Sequence, residues 1–190
     1  MEQEIYLKLQ DGSYFTGKPF GAPLKEDRIA EVVFTTATTG YVETLTDPSY
    51  CGQMVVAAFP LVGNYGINPA DFESEKIHMS AYIVGDWCRC PSNFKSRLDL
   101  DTFLKAQQIP GIYGLDTRKL IKRIREYGVM NGQLTHSHPA KDSAPTLAGR
   151  RMPNPVKAVT TPSPYRITSA LSFFHVAVWD FGVKQNILRS

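Results

Sequence analysis

Residues 35–68 read TTATTGYVETLTDPSYCGQMVVAAFPLVGNYGIN. The run begins at the end of a β-branched strand and passes through a short helix-capable segment at residues 41–45. It turns at Asp47-Pro48, re-enters a strand at Gln53 and closes in a glycine-framed loop from Gly63 to Gly66. Strand and helix signals interleaved at this spacing place the chain in the mixed α/β class. Asp47-Pro48 reads as a turn because proline fixes φ and aspartate bonds the main chain two residues on. Ser49 then stands where its hydroxyl can be presented, and a group that both donates and accepts suits the charged ends of an amino-acid ligand. A serine after proline is more often only a turn residue, so that claim needs a second signal.

Upstream, Ile5, Leu7 and Leu9 alternate with Tyr6 and Lys8, Asp11-Gly12 supplies a turn, and Tyr14-Phe15-Thr16 returns as the partner of a β-hairpin. Further strands are predicted over 31–36, 53–59 and 81–85, each rich in β-branched or aromatic residues and bounded by Gly, Pro or Asp. A helix over 100–107 places Leu100, Phe103 and Leu104 on one face behind an Asp99 cap. A second lies in GLDTRKLIKRIREYG, residues 114–128. There Asp116 caps, Leu115 and Leu120 occupy the two staple positions, and Gly128 falls where a left-handed carboxyl cap is needed. Leu120, Ile124 and Tyr127 share its apolar face, while Arg118, Lys119, Lys122, Arg123 and Arg125 make the rest basic. Such a face is commonly just solvated, its long stems covering apolar surface; partner binding is the sharper alternative.

From residue 136 to 172 the chain is rich in Pro, Ser, Thr and Ala with little apolar periodicity, and reads as a linker. Beyond it, Val176-Ala177-Val178-Trp179 runs without polar alternation, the pattern of a strand buried on both faces of a parallel sheet. Asp180-Phe181-Gly182 reads as a turn, and residues 184–188 as the start of a helix. This strand either completes a sheet formed upstream or opens a second domain, and its place beyond a linker favours the second. The expected organisation is a first domain over 1–135, a linker over 136–172 and the beginning of a second domain over 173–190.

Composition excludes more than it identifies. Hydrophobic content of 43% and charged content of 21% suit a globular protein, and a net charge of +3 is too small to imply binding to nucleic acid or to a membrane. The amino terminus carries acidic residues where a signal peptide would be basic, and no apolar run approaches a membrane span, so a cytoplasmic location is expected. Cys51, Cys88 and Cys90 cannot all pair within the chain, and Cys-Arg-Cys is one residue short of a zinc or redox spacing. SYCGQM around Cys51 only loosely follows the Gly-x-Cys-x-Gly-x-Gln elbow of glutamine-hydrolysing enzymes, so a small buried thiol is the expectation. Asp180-Phe181-Gly182 and Gly63-Asn64-Tyr65-Gly66 lack the surrounding elements of a kinase magnesium motif or a phosphate loop. The four histidines show no metal-ligand spacing, and no metal site is expected.

Taken in order, the strings LKLQDGSYFTGKPFGA, AEVVFTTATTGYVETLTDPSYCGQ, FPLVGNYGIN, PSNFKS, IYGLDTRKLIKRIREYGVMNGQL and FHVAVWDFGVKQNILR resemble the small, glutamine-hydrolysing subunit of carbamoyl phosphate synthetase over nearly the whole chain. The resemblance implies a layered β/β/α amino-terminal domain followed by the truncated start of a parallel-sheet α/β class I amidotransferase domain. It implies that Ser49, in Thr-Asp-Pro-Ser-Tyr, contributes to a glutamine site, and that no residue here inherits the family's nucleophile or its His and Glu partners. It also implies docking to a large subunit that uses ATP, magnesium and bicarbonate and receives ammonia, with Arg118, Lys122 and Arg123 as candidate contacts. No cofactor is expected in this chain, and the carbamoyl phosphate would serve arginine or pyrimidine synthesis. Ala30 stands where the family usually has Gly, and Thr35 where it usually has Asn. The alternative is a non-catalytic interaction module derived from that domain, distinguished by whether the reading frame continues into the nucleophile elbow.

Overall fold

A computed structural model describes residues 4–138, 147, 154–168 and 174–189. The chain opens with the expected hairpin, β1 (Ile5–Leu9) against β2 (Tyr14–Gly21). Its turn is closed by the Gly12 N–H on the Leu9 carbonyl at 3.0 Å, with Gly12 at φ 84°, a conformation that suits glycine. Next come β3 (Arg28–Thr35), α1 (Tyr41–Thr46), a 3₁₀ turn (Pro48–Tyr50), β4 (Met54–Ala57), β5 (Leu61–Val62), β6 (Ala81–Ile83) and β7 (Asp86–Trp87). Then follow α2 (Leu100–Ala106), β8 (Pro110–Tyr113), α3 (Thr117–Tyr127), β9 (Asn131–Thr135), α4 (Pro155–Val159) and α5 (Gln185–Arg189).

The fold is mixed α/β, as the interleaved pattern predicts, but its strands close on themselves. Among the described residues seven strands follow the order β1-β2-β8-β6-β4-β3-β9, with β9 returning antiparallel to β1. Within the barrel the run β3-β4-β6-β8 is parallel and the other pairs are antiparallel, while β5 and β7 pair in parallel as a separate two-stranded sheet. Closure satisfies the main-chain groups that an open edge would leave to solvent or to another chain.

Period-two alternation sorts the side chains into two cores. Met54 and Val56 of β4 and Ile83 of β6 join Ile5, Leu7, Leu9, Ile112 and Leu134 in the first, which also receives Leu120, Ile121 and Ile124 of α3. Val55 and Ala57, with Tyr82 between its β6 neighbours, face the second core, built with Tyr41, Val42 and Leu45 of α1 and Leu100, Phe103 and Leu104 of α2. Thus α1 and α2 pack on one face of the parallel strands and α3 on the other.

Both later helices form as their caps predict: Asp99 accepts from the Thr102 N–H and Asp116 from the Lys119 N–H, each at 2.9 Å. Two details of α3 differ. Ile121, not Tyr127, completes the buried face; Tyr127 is 54% exposed, because it falls in the last turn beyond the reach of the core. Gly128 has φ 90° and ψ −127°, so the helix ends in an extended conformation that only glycine adopts readily rather than in the left-handed helical one.

The larger correction concerns the carboxyl-terminal segment. Residues 176–179 form no strand, and Phe174, Val176 and Trp179 are all more than four-fifths exposed. An apolar run becomes a buried strand only beside a partner edge, and the closed barrel offers none. The expected linker over 136–172, part of which lies outside the described residues, contains the short helix α4, capped by the Asn154 side chain on the Lys157 N–H at 3.1 Å.

Candidate functional site

Among the described residues, a densely hydrogen-bonded surface feature surrounds Ser49. Asp47, only 8% exposed, is the cap of the 3₁₀ turn: its Oδ1 accepts from the Ser49 N–H at 2.8 Å, and Pro48 pre-sets the first position. The turn is closed by the Cys51 N–H on the Pro48 carbonyl at 3.1 Å, and Ser49 is left exposed. The expected presentation of the serine therefore has a local cause, since proline and aspartate together fix the main chain that carries it.

The other Asp47 oxygen faces a distant part of the sequence. Lys184 Nζ lies 2.6 Å from Asp47 Oδ2, and that contact, opposed by partial burial, raises the lysine pKa. Lys184 is brought there by a docked segment. The Asp180 carboxylate accepts from the Gly182 and Val183 N–H groups at 2.7 and 2.9 Å and from the Thr161 N–H at 3.0 Å, forming the predicted turn. These bonds outweigh the effect of burial and hold its pKa below the usual carboxylate value.

Immediately after, α5 meets Glu73, a carboxylate only 6% exposed. Glu73 accepts from Asn186 twice, from the side-chain Nδ2 at 2.7 Å and from the N–H at 3.0 Å, and its carbonyl accepts from the Gln185 N–H at 2.9 Å. Arg189 donates to the Ala70 and Phe72 carbonyls. The Glu73 N–H in turn bonds Thr46 Oγ1 at 2.9 Å, and Ser74 Oγ donates to the Thr46 carbonyl at 2.6 Å. A polar network thus runs from α5 through Glu73 and Thr46 to the turn bearing Ser49.

Of these residues the sequence singles out only Ser49 as a candidate site residue, and Asp180 as a turn former. Asp47 was legible as a turn former, and its capping role follows from the Asp-Pro-Ser order. Glu73 sits in DFESEK, where nothing distinguishes a buried carboxylate from an exposed one, and Lys184 and Asn186 acquire meaning only from docking.

The candidate contacts on α3 lie elsewhere: that helix packs on the first core, whereas Tyr50, next to Ser49, packs against the second. Arg118, Lys122 and Arg123 are all exposed. Arg123 Nε is nevertheless engaged by Asp11 Oδ2 in the β1–β2 turn. Arg118 and Lys122 remain directed outward with Lys119 and Arg125.

The cysteines do not assemble a reactive centre. Cys51 is buried, and burial, partly offset by Lys76, raises its thiol pKa, which keeps the nucleophilic form scarce. Cys88 Sγ lies 3.3 Å from the Cys90 carbonyl. No group of His, Cys, Asp and Glu suited to a metal occurs among the described residues, and none of their helices is long and apolar enough to cross a membrane.

A family model described as carbamoyl-phosphate synthase small chain, CPSase domain, matches residues 7–134. The carbamoyl phosphate synthase small chain of Syntrophotalea carbinolica is 44% identical over 204 residues, covering 97% of this chain and 53% of the relative. That of Bacillus caldolyticus is 45% identical over 185 residues, covering 96% and 50%. A carbamoyl phosphate synthase pyrimidine-specific small chain from Halalkalibacterium halodurans is 44% identical over 188 residues, again covering 96% and 50%. The chain spans about half the length of the curated relatives it matches.

Proposed function

Because the chain belongs to the carbamoyl phosphate synthase small chain family, we propose that it is the amino-terminal part of a subunit that hydrolyses glutamine and delivers ammonia to a large subunit. The large subunit then makes carbamoyl phosphate from bicarbonate and ATP, with the nucleotide and its magnesium held there and no cofactor in this chain. The barrel and its helices correspond to the layered β/β/α domain, residues 173–190 to the start of the amidotransferase domain, and the assembly works in the cytoplasm. The observation that carries this reading is the family match over residues 7–134, which includes the whole barrel apart from the ends of β1 and β9.

In this reading Ser49 contacts the substrate from the first domain, and the nucleophile comes from a part of the protein outside these residues. Two features support it. Ser49 is exposed on a turn whose main chain is fixed, which suits a contact that must be in place before substrate arrives. Cys51, by contrast, is buried with a raised pKa, the opposite of an activated thiolate.

The test is ammonia release from glutamine by the purified 190-residue chain, expected to be nil. Turnover that survived purification and vanished in Cys51→Ser would overturn the assignment of Cys51 as structural. In the complete enzyme, Ser49→Ala should weaken glutamine use while sparing ammonia-dependent synthesis, since a hydrogen bond to a charged group is worth about 1.5 to 3 kcal/mol.

A further inference from the structure

We propose that Asp47 is a positioning residue for Ser49, and that it holds the serine in place only while residues 180–189 are docked. The proposal rests on the assignment of Ser49 as a substrate contact, but its geometry stands apart from that assignment. Asp47 divides its carboxylate: Oδ1 takes the Ser49 N–H, and Oδ2 takes the Lys184 ammonium. At 8% exposure with residues 180–189 docked, this carboxylate has Lys184 rather than bulk water as its second partner. If Lys184 leaves, the cheapest response is for the side chain to turn toward solvent, and that movement takes Oδ1 away from Ser49.

Lys184 is itself 41% exposed at the side chain, so its ion pair alone is a weak fastening. The strength of the docking lies in Glu73, where both carboxylate oxygens are occupied by Asn186. Glu73 also fixes the residue just before Asp47, because its N–H bonds the buried Thr46 hydroxyl, which in turn donates to the Val42 carbonyl at 3.0 Å. Asp47 is therefore held from behind by Thr46 and from outside by Lys184, and both depend on the Glu73 region. The arrangement makes the serine turn sensitive to whether the start of the second segment is seated. Substrate contact in one domain is thereby linked to domain docking, the kind of support that a site built across two segments requires.

Two measurements test this. In the 190-residue chain, hydrogen exchange at the Ser49 amide is compared between the parent, Asn186→Ala and Lys184→Met, with the Leu7 and Val55 amides as controls for the barrel. Both variants are expected to lose protection at Ser49 by about tenfold or more while the barrel amides stay unchanged. Full protection at Ser49 in Asn186→Ala, with protection across α5 lost, would overturn the proposal.

In the complete enzyme, Asp47→Ala is expected to raise KM for glutamine about as much as Ser49→Ala. Asp47→Asn, which keeps the cap and loses the ion pair, should raise it less, and ammonia-dependent synthesis should be unchanged in all three. A KM raised by Ser49→Ala and unaltered by Asp47→Ala would refute the positioning role. A KM unaltered by Ser49→Ala refutes instead the assignment of Ser49 as a substrate contact, and the exchange measurement still decides whether Asp47 positions it.

Discussion

Asp11 illustrates how much a single turn residue can hold. Its carboxylate accepts from the Ser13 N–H at 2.9 Å and the Ser13 hydroxyl at 2.6 Å, and engages the Arg123 guanidinium from α3. Burial alone would raise its pKa; the Ser13 bonds and Arg123 outweigh that and hold it below the usual carboxylate value. A carboxyl group whose folded-state pKa is depressed contributes stability that is complete above its unfolded value, about 3.9, and is lost as pH falls through the folded value. The chain should therefore lose urea resistance on acidification below about pH 4, and Asp11→Asn should show a shallower decline over the same range. Equal declines in the two proteins would remove Asp11 from the acid response. The turn itself was legible from Asp11-Gly12, whereas the link to Arg123 was not, since a separation of 112 residues leaves no periodic trace in the sequence.

Among the elements, α3 was the most legible, because each of its ends has a local chemical cause: the Asp116 cap at one and Gly128 at the other. What sequence spacing could not settle was which of its cations are free. Arg123 is tied to Asp11, so reversing its charge would place two carboxylates together and disturb the hairpin, confusing docking with folding. Arg118 and Lys122 are the cleaner probes. Exposed charges act mainly by steering and are screened by salt. If α3 faces the large subunit, Arg118→Glu with Lys122→Glu should slow association in stopped-flow measurements at low salt. The difference should shrink as ionic strength rises, and the urea midpoint of the isolated chain should be little changed. An association rate insensitive to both the reversal and the salt would assign this face to solvent.

At the scale of the molecule, what escaped the sequence was closure. The strands β1, β2, β3, β4 and β6 are legible from composition, whereas β8 and β9 are not; the return of β9 to β1 and β3 joins residues a hundred or more apart, and no local pattern encodes such a pairing. Residues 176–179, which read as a buried strand, are not one here, and the closed barrel has no free edge to receive them. The segment is instead held at its far end, by Asp180 on Thr161 and by α5 on Glu73, with Phe174, Val176, Trp179 and Phe181 turned outward. Apolar side chains exposed together mark a surface that another molecule can cover. The isolated chain should therefore associate with itself as its concentration rises, detectable by sedimentation velocity. Val176→Ser with Trp179→Ser should reduce that association. The same pair should shift folding stability by no more than about 0.5 kcal/mol, because exposed positions away from caps and cores rarely cost more. Docking through Glu73 should survive the change, so the exchange protection of α5 would stay at its parental level. Association undiminished in the double variant would show that this surface is not what brings the copies together.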